Sequence, residues 1–343
     1  MNKRNLKSAE VIVEIGNTHE GSLGIAKSFI DMVAKSGAKV AKFQMHLAEY
    51  EGTKNEPFRV KFSEQDDTRQ DYWKRINFSK ENWVEISRYC NSLGIEFLCT
   101  PFSVEAARFL DEHNLVKRWK VGSGQAVEWP LIDFLSNTKK PLIISTGLIS
   151  PQEINLLKER LTRLSSWSKT TLLHCVSKYP VSIHEIDLHL MLDLQKLGCS
   201  FGYSDHSGHW FVPISAIAMG AEIVEVHMTP HKSFFGPDVS SSLLPEEIGR
   251  IVNFANIFTS ITTSSRSKNE HFQEVEQMRR LFRKGLYWSR NKYAGDKVTI
   301  EDFRFLKPVV EIDTVDYELL LGEKLEHNVM KDDPVRKRDF GNI

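Results

Sequence analysis

The chain has 343 residues, is 41% hydrophobic and 26% charged, and sets 45 Lys+Arg against 45 Asp+Glu for a formal net charge of zero. That length exceeds most single cores and suits one large domain plus a small one. The even charge offers no field to draw nucleic acid or an anionic membrane, so any anionic ligand must be held by local groups.

No apolar run reaches the ~18 residues of a spanning helix, and Met1-Asn2-Lys3-Arg4 leads into no secretory core. Cys90, Cys99, Cys175 and Cys199 form no C-x-x-C pair. They read as reduced packing residues, and a cytoplasmic protein is expected.

Short β-rich runs recur at residues 11–16, 40–45, 96–101, 118–123, 142–147, 171–176, 201–206 and 223–228. Between them lie stretches of helical periodicity. In Ser22 to Ser36, for example, Leu23, Ala26, Phe29, Ile30 and Val33 share one face; others are Glu105 to Glu112, Pro151 to Leu164 and Phe211 to Gly220. Eight strand–helix repeats predict an α/β fold, a (β/α)8 TIM barrel.

Each strand starts apolar and turns polar at its C-terminal end. The ends carry Glu14, Lys42 with Gln44, Thr100, Lys120 with Ser123, Ser145, Ser177, Ser204 with His206, and His227. Polar ends on all eight strands predict a site at that rim. Lys42 and Lys120 argue most strongly, because a lysine inside a strand is costly to bury without an anionic partner. His206 and His227 close successive strands and suit an open divalent-metal site. The competing reading is a pair of rim histidines bonded to backbone. The polar stretch Glu49 to Phe78 follows the second strand and should hang over the rim, as a lid or as a solvated loop.

The last barrel helix is expected over Pro245 to Phe258, ending a barrel domain of residues 1–260. A polar linker follows at 261–282 and a small β-rich domain at 283–343. In the small domain, Gly285 to Arg290 and Val309 to Asp313 are β-like, Ala294-Gly295-Asp296 is a turn, and Tyr317 to Leu325 is a short helix ending near Gly322.

The motifs V-E-I-G-N-T-H-E-G-S, V-A-K-F-Q, C-T-P-F-S, W-K-V-G-S-G, I-I-S-T-G, L-H-C-V-S-K-Y-P, G-Y-S-D-H-S, E-V-H-M-T and G-P-D-V-S-S-S-L-L-P-E-E occur in this order. Together they resemble the sialic acid (nonulosonate) synthase family. The tail, with R-K-G-L-Y-W-S, A-G-D-K-V-T-I-E-D-F and Y-E-L-L-L-G, is similar to that family's antifreeze-like (SAF, β-clip) domain. The resemblance implies condensation of phosphoenolpyruvate with an N-acetylated hexose to a nine-carbon α-keto acid and phosphate. It implies a divalent metal, usually Mn2+ with Mg2+ or Co2+ as alternatives, and a domain-swapped homodimer.

By resemblance, Lys42, Thr100, Lys120, Ser123, Ser145, Ser177 and Ser204 contact phosphoenolpyruvate, and His206 and His227 hold the metal. Glu14 faces the reacting centre, where it handles a proton or bears on a cationic intermediate. Gln44, Gln125, Tyr179, Asp238 and Lys307 fall at sugar positions.

Departures gather on the sugar side. Gln125 stands where the family commonly carries glutamate, Thr18 replaces an asparagine, and Val226 replaces a basic residue. Lys307-Pro308-Val309 replaces R-P-G, and lysine lacks arginine's bidentate fork. Ser177 replaces an asparagine. The acceptor is therefore expected to be N-acetylmannosamine or a diacetamido relative. A phosphorylated aldose and a non-catalytic sugar-binding role remain the alternatives.

Overall fold

The computed structural model describes residues 8–60, 62, 64–262 and 267–341. The chain divides into two compact units, 1–263 and 264–343.

In the first unit eight parallel strands run β1 (Glu10–Gly16), β2 (Val40–Met45), β3 (Glu96–Pro101), β4 (Trp119–Val121), β5 (Leu142–Ser145), β6 (Thr170–His174), β7 (Ser200–Asp205) and β8 (Ile223–His227). Their order is β3-β2-β1-β8-β7-β6-β5-β4. β3 and β4 carry no ladder between them but pack side by side, so the sheet curls round on itself. This is the expected barrel.

The helices between strands are α1 (Leu23–Ser36), α2 (Ala48–Glu51), α3 (Arg69–Ile76), α4 (Lys80–Ser92), α5 (Val104–Glu112), α6 (Trp129–Asn137), α7 (Pro151–Arg163), α8 (Met191–Gln195), α9 (Phe211–Ala218) and α10 (Pro245–Thr262). α1 shows how locally these are specified. Ser22 caps it by accepting from the Ile25 amide, Gly37 ends it at φ 83°, and Ala26, Phe29, Ile30 and Val33 form its buried face. Among the described residues no helix is long and apolar enough to cross a membrane.

The barrel interior is layered by the two-residue period of the strands. Ile12, Val40, Leu98, Ile143, Leu173 and Ile223 form a separate buried apolar cluster. Gly202 completes this level, since a Cβ there would stand 2.1 Å from the Ile223 carbonyl oxygen. Two residues further along each strand, the same inward direction brings Glu14, Lys42, Thr100, Ser145, Cys175, Ser204 and Glu225 above that hydrocarbon floor. The outward faces pack under the helices in the main core.

The second unit is built around Trp288, with Leu286, Val298, Phe303, Ile312, Leu320, Leu325, Val329, Val335 and Phe340 buried about it. Its ladder is one antiparallel pair, β9 (Gly285–Trp288) with β10 (Phe303–Leu306), supplemented by isolated bridges. Among the described residues it is thus less β-rich than the sequence suggests. Val309 to Asp313 contributes a single bridge, from Gly285 to Asp313. The expected short helix is a 3-10 turn over Thr314–Leu320.

The polar stretch before β9 also differs from a linker. It folds as α11 (Lys268–Glu274) and α12 (Glu276–Phe282). A capping box between Ser267 and Glu270 starts α11, and neither helix buries a side chain. Residues 263–266 of that stretch lie outside the described residues.

Candidate active site

A cavity of about 300 Å³ opens above the apolar floor at the C-terminal ends of the strands. Glu14, Lys42, Gln44, Thr100, Lys120, Ser123, Gln125, Ser145, Tyr179, Ser204, His206, His227 and Asp238 all line it. Two of the expected residues are placed differently. Ser177 does not line the cavity but stands behind Ser123, their hydroxyls 3.4 Å apart. Lys307 belongs to the second unit, where its ammonium lies 5.7 Å from the Phe282 ring centre.

At the base, two lysines meet two carboxylates. Lys42 Nζ is 3.1 Å from Glu14 and 3.4 Å from Glu225, and Lys120 Nζ is 3.4 Å from the same Glu225 oxygen. All four side chains are buried. Neighbouring strands bring them together: Glu14 lies opposite Lys42 on β2 and His227 on β8, and Ser204 lies opposite Glu225.

Burial alone would raise the Glu225 carboxyl, but Lys120 and then Lys42 outweigh it and hold it well below the ordinary carboxylate range. Burial would likewise discharge Lys42, yet Glu14 and Glu225 keep its pKa above the usual value. Lys120 is less well compensated: burial pulls its pKa down despite Glu225. It donates to Ser145 Oγ at 2.8 Å. Ser204 donates to Glu225 at 3.0 Å, while the buried Thr100 hydroxyl has no hydrogen-bond partner among the described residues. The base is neutral in sum, with one under-compensated ammonium and one unused hydroxyl facing the cavity.

Higher up, the two histidine rings lie with centroids 5.5 Å apart. His206 Nδ1 donates to the Val176 carbonyl at 2.8 Å, which leaves Nε2 as a bare acceptor. Burial, then His227, pushes the His206 pKa down to about 3, so the ring is neutral. Tyr179 packs over His206 at 4.0 Å, and its phenol pKa is raised, first by burial and then by Asp238.

Gln44 donates to Glu14 at 2.5 Å, and its carbonyl oxygen takes Asn17 Nδ2 at 3.1 Å. Gln44 therefore has a single N–H left to offer a ligand. The cysteines are all free thiols; Cys175 reaches the cavity wall, where burial pushes its pKa up.

The polar stretch after β2 does reach the rim. Phe58, Arg59, Val60 and Phe62 line the cavity, as do Tyr72 and Trp73 of α3. Arg59 ion-pairs with Asp238 and lies 4.0 Å from the Tyr179 ring centre. Sequence reasoning passed over Glu225 and Arg59. The signal for Glu225 was present: two buried lysines require two carboxylates, and Glu225 sits inside a Val-Glu-Val strand two residues before His227. Arg59 meets Asp238 across 179 residues of sequence, and no spacing rule reaches that far.

A model of the NeuB family matches residues 29–266. The chain belongs to the NeuB family. The N,N'-diacetyllegionaminic acid synthase of Legionella pneumophila is 30% identical over 326 residues, covering 93% of this chain and 91% of that protein. Human N-acetylneuraminate-9-phosphate synthase is 31% identical over 247 residues, covering 71% and 68%. A crystal structure of N-acetylneuraminic acid (sialic acid) synthetase from Leptospira borgpetersenii, in complex with citrate, superposes with a TM-score of 0.69 at 26% identity, over 81% of this chain and 95% of that one. This is the family its motifs resemble, and the NeuB match covers β2 through α10.

Proposed function

We propose that this NeuB-family chain is a cytoplasmic synthase that condenses phosphoenolpyruvate with an unphosphorylated N-acetylated hexose, N-acetylmannosamine or a diacetamido relative. The products are a nine-carbon α-keto acid and phosphate. The observation that carries this reading is the buried Lys42–Lys120 pair above an apolar floor. Such a pair suits a small guest bearing both a phosphate and a carboxylate. Thr100, Ser123, Ser145 and Ser204 surround it as hydroxyl donors, with Ser177 acting through Ser123.

An unphosphorylated acceptor is favoured by the upper cavity, where Arg59 and Arg69 are each paired with a carboxylate, Asp238 and Glu56. Gln44 gives its remaining N–H to the sugar, while Tyr179, Gln125 and Asp238 line the sugar's side.

In the reaction the vinyl carbon of phosphoenolpyruvate bonds to the aldehyde carbon, whose oxygen takes up a proton and becomes a hydroxyl; water adds at the adjoining carbon and gives up a proton, and the bond from that carbon to the phosphate oxygen breaks as the ketone forms, releasing phosphate. Glu14, held by Gln44 and Lys42, is the carboxylate set to accept the water's proton. A divalent metal fits His206 and His227, because the bare Nε2 of His206 faces the cavity beside the second ring. Among the described residues no cluster of three His, Cys, Asp or Glu forms, so water and substrate would complete the sphere. Mn2+, Mg2+ or Co2+ there would polarise the aldehyde oxygen and add the positive charge that a neutral base lacks against a multiply charged anion. The 264–343 unit is read as the antifreeze-like domain, with Lys307 serving the acceptor site of the partner subunit in a swapped homodimer.

The test is phosphate release with Mn2+, phosphoenolpyruvate and a panel of N-acetylated, diacetamido and phosphorylated hexoses, with mass detection of product. Release dependent on one unphosphorylated sugar, and lost in His206→Ala/His227→Ala, is expected. Absence of phosphate release from the wild-type protein with every sugar overturns the reading.

A further inference from the structure

β1 does not run straight into its loop. Glu14 lies opposite Lys42, but the register then slips, so that Gly16 and not Ile15 meets Phe43. Gly16 takes φ 57°, a left-handed conformation that favours glycine, and a Cβ there would stand 3.5 Å from Glu14 Oε1 and 3.6 Å from Gln44 Nε2. The next residue, Asn17, lines the cavity while only 8% exposed. The loop is tied down around it. The Thr18 amide donates to the Ile15 carbonyl at 3.2 Å, and the Glu20 amide donates to that of Asn17 at 3.0 Å.

Asn17 Nδ2 lies 3.1 Å from Gln44 Oε1 and 3.5 Å from His46 Nε2. His46 is fixed between the rings of Trp73 and Phe102, centroids 3.7 and 4.1 Å away, with Nδ1 2.7 Å from Glu51. Which way round each amide stands follows from the one group that only accepts. Glu14 is ion-paired with Lys42 through Oε2 at 3.1 Å and takes Gln44 on Oε1 at 2.5 Å. Gln44 therefore turns its nitrogen to Glu14 and its oxygen to Asn17, and Asn17 presents nitrogen in return. With His46 Nε2 bare, the two hydrogens of Asn17 serve Gln44 and His46. With Nε2 protonated, Asn17 and His46 both donate to the Gln44 oxygen, 3.1 Å from each. In either tautomer Asn17 is a donor to Gln44.

We propose that Asn17 is a positioning residue: by donating to Gln44 Oε1 it keeps the Gln44 amide one way round, with one N–H on Glu14 and the other towards the acceptor sugar. The two ends of an amide are nearly the same size, so packing does not choose between them and hydrogen-bond partners do. Turned over, Gln44 would set its oxygen against Glu14 and offer the sugar an acceptor in place of a donor. Glu14 would keep Lys42 on one oxygen and lose the group that orients the other. The slip in β1 and the conformation of Gly16 are what bring Asn17 to this place.

The roles of Glu14 and of the sugar rest on the proposed condensation, whereas the orientation of the amide does not, and the tests separate them. In the full chain labelled with 15N-glutamine, the Gln44 side-chain amide is identified as the signal missing in Gln44→Leu. It should show two well-separated protons, the one on Glu14 downfield of the other. Asn17→Asp, which replaces the donor by an acceptor of the same shape, should move or merge them. In the phosphate-release assay, Asn17→Asp should lower kcat on the order of 10- to 100-fold, the scale set by a misplaced catalytic group, and Asn17→Leu, which removes the donor without adding charge, should lower it less. The KM for the sugar that supports wild-type release should rise roughly 3- to 10-fold, the worth of one hydrogen bond, with the KM for phosphoenolpyruvate nearly unchanged. In a Gln44→Leu background, Asn17→Leu should cost no further kcat, which a role confined to shaping the loop does not predict. Asn17→Ala serves for the same comparison should leucine disturb the loop. Unmoved Gln44 amide signals in Asn17→Asp, or a kcat loss from Asn17→Leu that persists undiminished in Gln44→Leu, overturns the proposal. If the wild-type protein releases no phosphate, the functional reading fails and the amide spectra alone decide the orientation.

Discussion

Replacing Glu225 by glutamine should be the most damaging conservative change at the base of the barrel. The carboxylate is 3% exposed and stands 3.4 Å from two ammonium groups. At an effective dielectric of about 20, each contact represents roughly 5 kcal/mol of gross attraction. Desolvation of all three charges offsets much of this. What the substitution leaves behind is a pair of buried lysines sharing only Glu14, and breaking a buried pair in this way costs about 3–5 kcal/mol. For a unit of this size each kcal/mol moves the midpoint by about 2–4 °C, so a fall of about 10 °C in Tm is expected by circular dichroism. The uncompensated lysines should then bind anions more strongly. Saturating inorganic phosphate should raise the Tm of Glu225→Gln by more than it raises that of the wild type. Adding Lys120→Met should recover a large part of the loss, because the second charge no longer needs a partner. A Tm within 2 °C or so of wild type, or equal stabilisation of both proteins by phosphate, would refute the account of the base as a charge-balanced anion site.

Two other expectations concern the surroundings. His19 is neutral when folded, its pKa lowered from 6.5 to about 3 by burial and then by His46. The unfolded chain takes up its proton first, so the contribution is complete above pH 6.5 and is lost as pH falls towards 3. By linkage the wild type should lose about 2 kcal/mol between pH 7.5 and 5 through this group, and His19→Phe should flatten that slope in urea titrations; equal slopes would count against it. Arg59→Ala removes the ion pair to Asp238 and the contact with Tyr179. Because the guanidinium is partly exposed, the loss is about 1 kcal/mol, and limited proteolysis within residues 49–68 should quicken about fivefold. Unchanged cleavage would mean that other contacts hold the segment.

The barrel was legible because its two periods are so clearly written. Alternating strands with polar ends specify the rim, and capped amphipathic helices such as α1 specify the wrapping. Lys42, Lys120, His206 and His227 could be picked out singly because each is a poor choice for a strand interior unless something pairs with it. The same argument, carried one step further, would have demanded Glu225. What sequence could not supply was the partnership of parts distant along the chain: Arg59 with Asp238, or His46 between Trp73 and Phe102. These depend on how a long insertion folds back, and no local pattern encodes that. α11 and α12 were missed for a different reason. They bury nothing, so they lack the apolar stripe that reveals a helix, although Ser267 and Glu270 announced a start.

The floor of Ile12, Val40, Leu98, Ile143, Leu173 and Ile223 has a kinetic consequence. It seals the barrel beneath the lysines, so guests enter and leave by one mouth. A small anion bound at Lys42 and Lys120 is then expected to enter before a bulkier second guest lies above it, and an anion left there to depart after the larger product has cleared. Ordered addition and last-out release of phosphate are therefore the expected kinetics, and product-inhibition patterns check them. Phosphate should compete with phosphoenolpyruvate and not with the sugar.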